Sequence, residues 1–408
     1  MKKNLIFIVC IFLFLISQRV SAIPLQRQAL TVNGYSVELQ VPVNMRLEFV
    51  AEIAVPAPRF IDVGPDSEFI LGSRGANLYR LKYPYTEVET LVTLSGYFHS
   101  TAYRQGRLYA AETAAVWSAP YVGSSTLLNQ GDFTMDAVLP SLTGGHSSRT
   151  IVTGPDNRLY VGLGISGNCS DEYLHNSYPF ERRRGGVFVL ENSTLTPYSS
   201  GLRNPIGLAF HPSTNVLYAT NAGPDNLGYD TPPEILAALS QNSFHGMPWF
   251  QFYNGAFNSG NCAQSPPPRP AADATPPAAL FEARSTPEGI VFLQDSSLGG
   301  QYTNSAVVAV HGSWATEPGL GQESRRPPKL SLVVFDSTAP IRVENLVTGF
   351  QRADGSRFAR PCGVAVGADC HLYFTSDGGE VTGLFRLVPI AEAGTSISSV
   401  YNLLLGSG

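Results

Sequence analysis

The chain has 408 residues, 43% hydrophobic and 11% aromatic, which excludes a disordered polypeptide. Its formal net charge is −5 with no basic cluster, which argues against nucleic-acid binding. Only 14% of residues are charged, while 39 are Gly and 30 are Pro; this disfavours long exposed helices and fits short strands joined by many turns.

Lys2 and Lys3 precede an apolar run from Leu5 to Ile16, then Val20-Ser21-Ala22. A charged start, an apolar centre and a small-residue end predict a secretory signal peptide over residues 1–22. The run is shorter than the roughly 20 residues of a membrane span, although a signal anchor is the alternative. Without Lys2, Lys3 and Arg19, 24 basic side chains face 32 acidic ones, a net −8. Residues 23–408 are then expected outside the cell, or in a bacterial periplasm, as one domain. Cys169, Cys262, Cys362 and Cys370 remain, and an even number in an exported chain suggests two disulfides. Cys169 and Cys262 both lie in Gly-Asn-Cys loops, and Cys362 and Cys370 flank a strand and turn, so the expected pairs are Cys169–Cys262 and Cys362–Cys370. Asn168-Cys169-Ser170 and Asn192-Ser193-Thr194 are N-glycosylation acceptors in a host that glycosylates.

A loose phrase recurs six times: an apolar strand, a polar turn, then an apolar-aromatic strand. It begins at Phe60, Thr101, Thr150, Ile206, Glu288 and Gly363. The third copy is clearest, with Thr150-Ile151-Val152-Thr153, Gly154-Pro155-Asp156 and Leu159-Tyr160-Val161. Six units average about 64 residues each, longer than minimal propeller repeats and consistent with long inserted loops. The expected fold is all-β, a six-bladed β-propeller; two β-sandwiches are the competing arrangement. Thr231-Pro232-Pro233-Glu234 reads as a helix start, with Ile235–Leu239 as the helix. Pro266-Pro267-Pro268, Pro270 and Pro276-Pro277 mark a surface loop near 259–279.

Propeller sites form at one mouth of the channel, from short motifs on several blades. His146, in Gly144-Gly145-His146-Ser147-Ser148-Arg149, precedes an inner strand. Its near-neutral pKa suits a general base, and a backbone-bonded loop histidine is the alternative. Arg203-Asn204-Pro205 places a planar cation beside an amide, suited to a carboxylate or quinone oxygen, or else forms a turn with a surface Arg. Gly223-Pro224-Asp225-Asn226 offers carbonyls and a carboxylate for calcium, or is an Asx-rich turn. His311-Gly312-Ser313-Trp314 ends an apolar strand with a Trp that either stacks on a ligand or joins the core. Arg325, Arg326, Lys329, Arg357 and Arg360 either grip an anion or are solvated.

The order His146, Arg203-Asn204-Pro205, Gly207-Leu208-Ala209-Phe210, Gly223-Pro224 resembles the soluble glucose and sorbosone dehydrogenase superfamily. His311-Gly312-Ser313-Trp314 and Asp225-Asn226-Leu227-Gly228 are similar to its sorbosone-dehydrogenase-like and fungal pyranose-dehydrogenase branch. The resemblance covers about Asn44 to Val388. It implies a secreted six-bladed propeller that oxidises a sugar, using pyrroloquinoline quinone (PQQ) and calcium and an external electron acceptor. It implies His146 as catalytic base and Arg203 and Asn204 at the quinone oxygens. It implies the carbonyls of Gly223 and Pro224 as calcium ligands, joined by Asp225. His311 and Trp314 would border the cofactor. Lys329, Arg357 and Arg360 would pair with its carboxylates, with Arg325 and Arg326 as alternatives to Lys329. The branch often continues His-Gly-Ser-Trp with Asn-Arg, where this chain has Ala315-Thr316. The rival functions are a non-catalytic propeller that binds a protein or glycan, and a calcium-dependent lactonase.

Overall fold

The structure is a computed structural model and describes residues 22–141, 145–225, 227–260 and 262–390. The expected leader, apart from Ala22, lies outside the described residues, as do Gly144, Asn226 and Asn261. No helix among the described residues is long and apolar enough to cross a membrane.

Six sheets, antiparallel except where Ser243–Phe244 joins Thr194–Ser200 in parallel, form the blades of a β-propeller. Their innermost strands are Pro58–Val63, Phe98–Arg104, Arg149–Thr153, Pro205–Phe210, Pro287–Phe292 and Pro361–Val366, and each contains or begins one of the six repeats. Every inner strand packs against the next, and the sixth against the first, around one axis. Closure comes from the N-terminal side: Met45–Glu52 pairs with Gly383–Pro389 as the outermost strand of the sixth blade. That pairing ties together residues more than three hundred apart and removes the free edge that an open ring would leave.

The blades are joined by a belt of hydroxyls and glycines. The Thr220 hydroxyl donates to the Glu288 carbonyl at 2.6 Å and accepts from Gly207 N–H at 2.8 Å. Thr375 repeats this with the Arg59 carbonyl at 2.5 Å and Gly363 N–H at 2.9 Å. A Cβ at Gly207 would collide with the Glu288 carbonyl, and one at Gly363 with the Arg59 carbonyl. Small residues thus let neighbouring inner strands approach closely, and the hydroxyls satisfy the carbonyls at the seam.

The turn at the far end of the hairpins is also repeated. Gly154 N–H donates to Arg158 O, Asn157 N–H donates to Gly154 O, and Asn157 takes φ 61°. Gly64–Glu68 and Gly367–His371 fold the same way, with Ser67 at φ 62° and Cys370 at φ 62°. Tyr160 and Tyr373 each donate to the Asp of their own turn, at 2.7 and 2.8 Å.

This turn overturns one expected disulfide. Cys169 and Cys262 are bonded, but Cys362 and Cys370 are free thiols. Cys362 is buried near the start of its inner strand, opposite the Ser376 end of the next strand, while Cys370 sits exposed in the turn beyond Val366. The four residue steps from Cys362 to Val366 alone extend about 13 Å, beyond the roughly 7 Å that a disulfide spans between Cα atoms. The bond that does form closes a sequence separation of 93 residues and stabilises the fold by roughly 4–5 kcal/mol in the chain-entropy account.

The expected helix is also corrected. Glu234–Leu239 is the third strand of the fourth blade, paired with Leu217–Asn221 and Ala279–Phe281. A five-residue helix cannot recover its nucleation cost, and the sheet offers a ladder on both sides. The proline-rich stretch after Cys262 is mostly exposed loop with one short turn at Ala271–Asp273 before the chain enters Ala279–Phe281.

Candidate active site at the channel mouth

The starts of the inner strands gather at one end of the channel. They bring Arg59, His99, Arg149, Asn204, Glu288 and Arg360 together from six different blades. A cavity of about 380 Å³ opens there, bordered by Arg59, Arg74 and Arg360, by Glu288, and by Tyr97, Asn204, His311 and Trp314. Three arginines against one glutamate make its wall cationic.

His146 lies against this site, partly buried beside Asn204. Gly164 makes that approach feasible: a Cβ there would stand 2.5 Å from Asn204 Oδ1 and 2.7 Å from His146 Cβ. The His146 ring places Nδ1 2.6 Å from the Ile165 carbonyl oxygen. A carbonyl only accepts, so Nδ1 carries the proton and Nε2 is the unprotonated nitrogen. Burial, then the nearby Arg203 charge, pushes the imidazole pKa down to about 3. The base form therefore exists well below the near-neutral range expected for a free histidine.

Arg203 is buried and donates Nε–H to the Asn168 carbonyl at 3.1 Å and Nη1–H to the Ala222 carbonyl at 3.3 Å. Its remaining nitrogen lies 3.4 Å from Asp225 Oδ2. The Asn168 side chain accepts from Asp225 N–H at 3.0 Å, which fixes this turn to the loop beside Cys169. Asn204 N–H donates to Asn221 Oδ1 at 2.9 Å, but its own buried Oδ1 has no hydrogen-bond partner. Gly223 N–H donates to the Glu234 carboxylate, and burial raises the Glu234 pKa to about 8. Gly223 and Pro224 are buried, whereas Asp225 is exposed.

His311 belongs to a different network. Arg360 is only a donor, and its Nη2 lies 2.8 Å from His311 Nδ1, so Nδ1 accepts. Nε2 then donates to Asp377 Oδ1 at 2.6 Å. Both ring nitrogens are engaged, so His311 is not placed to take a substrate proton. Asp377 also receives Arg59, which reaches Glu288 at 3.2 Å and donates to His99 at 3.2 Å. Burial would raise the Asp377 carboxyl, but His311 and Arg59 hold it well below the usual range.

Trp314 is 67% exposed and stands over Arg360, whose guanidinium carbon lies 4.3 Å from the ring centroid. Arg357 flanks the same ring at 5.7 Å and Arg325 at 5.5 Å. Lys329 does not border the cavity; its ammonium lies 3.8 Å from Glu282. Arg326 also turns away, to Glu282 at 2.8 Å and Asp230 at 2.5 Å. The structure therefore places Asn204, His311, Trp314 and Arg360 on the cavity wall, with His146 and Arg203 next to Asn204 and Arg357 next to Trp314 outside that lining, and Gly223-Pro224-Asp225 joined through Arg203.

Arg59, Arg74, Tyr97, Glu288 and Asp377 were not singled out in the sequence. A positional signal existed for two of them. Arg59 and Glu288 each directly follow the Pro that begins their inner strand, Pro58 and Pro287, two positions beyond the register of Asn204 and Arg360, which directly precede Pro205 and Pro361.

The residues present fit the expected cofactors. The unpaired buried Asn204 Oδ1 would be satisfied by a bound donor or cation. The arginine wall and exposed Trp314 face suit a flat polycarboxylate. Glu234 is a buried acid beside the Gly223-Pro224 turn, and a divalent cation there would compensate its charge. Among the described residues no three His, Cys, Asp or Glu side chains converge as a metal cluster. Backbone carbonyls would therefore have to supply much of any calcium shell at this turn.

No family model matches the chain. An uncharacterized Borreliella burgdorferi protein is 25% identical over 368 residues, 84% of this chain and 89% of that one. Among solved structures, a Trichoderma reesei member of carbohydrate-active enzyme family AA12 aligns at TM-score 0.70 and 18% identity, over 86% of this chain and 97% of that one. The holo form of the pyranose dehydrogenase PQQ domain from Coprinopsis cinerea aligns at 0.68 and 18%, over 86% and 97%. The soluble aldose sugar dehydrogenase of Escherichia coli, in its apo-form, aligns at 0.59 and 16%, over 85% and 99%. The chain has the fold of these propellers.

Proposed function

We propose that this chain is a secreted sugar dehydrogenase that uses pyrroloquinoline quinone and calcium and passes electrons to an external acceptor. The observation that carries the reading is the neutral His146 beside the unpaired Asn204 amide, at the edge of an arginine-walled cavity. The names of the structures sharing the fold agree with it.

When bound, the quinone would supply the hydride acceptor. The protein's own residues would do the rest. His146 Nε2 takes the proton of the sugar hydroxyl, with Nδ1–H held on the Ile165 carbonyl so that the ring cannot rotate away. Arg203 and Asn204 would hold the quinone oxygens and stabilise negative charge there. Arg360 and Arg357, backed by Trp314, would pair with the carboxylates. The Gly223 and Pro224 carbonyls, with Asp225, would hold calcium, with Glu234 behind them.

Purified protein reconstituted with quinone and calcium should oxidise at least one aldose in a panel read with an artificial electron acceptor. Glu234→Gln should raise the calcium needed for half-maximal activity by about tenfold, the range for losing a group that supports metal ligands. A fully loaded protein that turns over no aldose or related alcohol would favour a non-catalytic propeller. An unchanged calcium requirement in Glu234→Gln would remove that residue from the site.

A further inference from the structure

Beneath His146 lies an arrangement that no motif in the sequence announced. Arg184 is fully buried, and its Nε–H donates to the Gly164 carbonyl at 2.8 Å while Nη2–H donates to the His146 carbonyl at 2.9 Å. Gly164 precedes Ile165, whose carbonyl receives the imidazole proton. One guanidinium therefore grips both the loop that carries the base and the strand end that carries its acceptor. Arg149, also buried, adds a second grip, donating Nη1–H to the His146 carbonyl at 2.8 Å and Nε–H to the Thr113 carbonyl at 3.0 Å. Two buried guanidinium groups on one carbonyl are costly, since each must leave water beside a like charge. A buried acid nearby is Glu172, which accepts from Ser166 N–H and the Ser170 hydroxyl.

We propose that Arg184, assisted by Arg149, is the positioning residue of the base: it clamps His146 to the Gly164-Ile165 strand end and so fixes which imidazole nitrogen is bare. The role of the base rests on the function proposed above, but the clamp is a property of the protein alone. The charges acting on the ring are Arg203, Arg184 and Arg149, with Glu172 acting on both buried arginines and Glu112 on Arg149. All three arginines oppose a protonated imidazole. Lysine at 184 would keep a positive charge but could not reproduce the planar fork that spans two carbonyls.

The test is nitrogen-15 NMR of the His146 imidazole in the quinone-free protein, with His146→Ala used to assign the signal. The wild type should show the Nδ1–H tautomer and titrate well below pH 6.5. Arg184→Gln should lose the single tautomer and titrate closer to 6.5. Arg184→Lys should also lose the fixed tautomer but titrate lower than Arg184→Gln. In the loaded enzyme, both variants should lose about tenfold or more in kcat, with little change in quinone affinity. If Arg184→Gln does not fold, Arg184→Lys and Arg149→Lys carry the same readout. A folded Arg184 variant with the wild-type tautomer and titration would overturn the clamp. A protein that binds no quinone yet shows these NMR changes would refute the proposed function and leave the clamp standing.

Discussion

His146→Ala is expected to reduce sugar oxidation by about 10²- to 10⁴-fold, the usual range for removing a general base. Quinone affinity should stay close to wild type, because the groups proposed to hold the cofactor are Arg203, Asn204 and the arginines around Trp314. The pH dependence has a definite sign. Burial and Arg203 hold the His146 pKa down at about 3, so the unprotonated nitrogen persists as pH falls through 6. The acid limb of kcat/KM that belongs to this group should lie well below 6.5, and a limb near 6.5 would assign the base elsewhere. Full turnover in His146→Ala would do the same. His311 would be a poor substitute, since Arg360 and Asp377 already occupy both of its nitrogens.

Asp377→Ala is expected to produce the largest loss of stability. The Asp377 side chain has no solvent exposure and joins Arg59 to His311. Removing it leaves a buried guanidinium short of one partner and the imidazole N–H with none. Deleting one side of a buried ion pair costs about 3–5 kcal/mol, a large part of the roughly 5–15 kcal/mol that holds a domain folded. Urea denaturation should show that loss, and a midpoint within error of wild type would contradict it. Asp377 also has a depressed pKa, so its contribution is present above the ordinary 3.8 and is lost as pH falls below it. The wild-type advantage over Asp377→Ala should therefore shrink in acid.

The fold was legible because a propeller repeats its local chemistry. Gly154-Pro155-Asp156 and Leu159-Tyr160-Val161 can be read directly, and the other five copies follow the same plan. The missed features are those that depend on the ring. Glu234–Leu239 has the apolar run of a helix or a buried strand, and only its neighbours on both sides decide for the strand. Cys370 looked like a partner for Cys362 because they are near in sequence. In the sheet it holds the left-handed turn position of Ser67 and Asn157, at the opposite end from Cys362.

The site was partly legible for the same reason. His146, Arg203-Asn204 and Gly223-Pro224 sit in short motifs beside inner strands. Arg59, Glu288 and Asp377 come from the first, fifth and sixth blades and meet only when Met45–Glu52 closes the ring. Lys329 stands in the same basic run as Arg325 and Arg326, and nothing in their spacing tells which of them turns to the cavity. Its strand directs the ammonium to Glu282, while Arg357 and Arg360 reach Trp314. Arg184 carries no signal in sequence, because the contacts that make it a clamp go to the main-chain carbonyls of Gly164 and His146.

The central claim is that this mouth binds pyrroloquinoline quinone with calcium. Calorimetric titration of the quinone into the quinone-free protein tests it without any assumption about the sugar. The account predicts saturable binding at one site per chain with calcium present, and its loss in chelator. Arg203→Ala should weaken that binding by about 10- to 100-fold, the range for one charged hydrogen bond, while His146→Ala should barely change it. No heat of binding to the wild-type protein with calcium present would contradict the account.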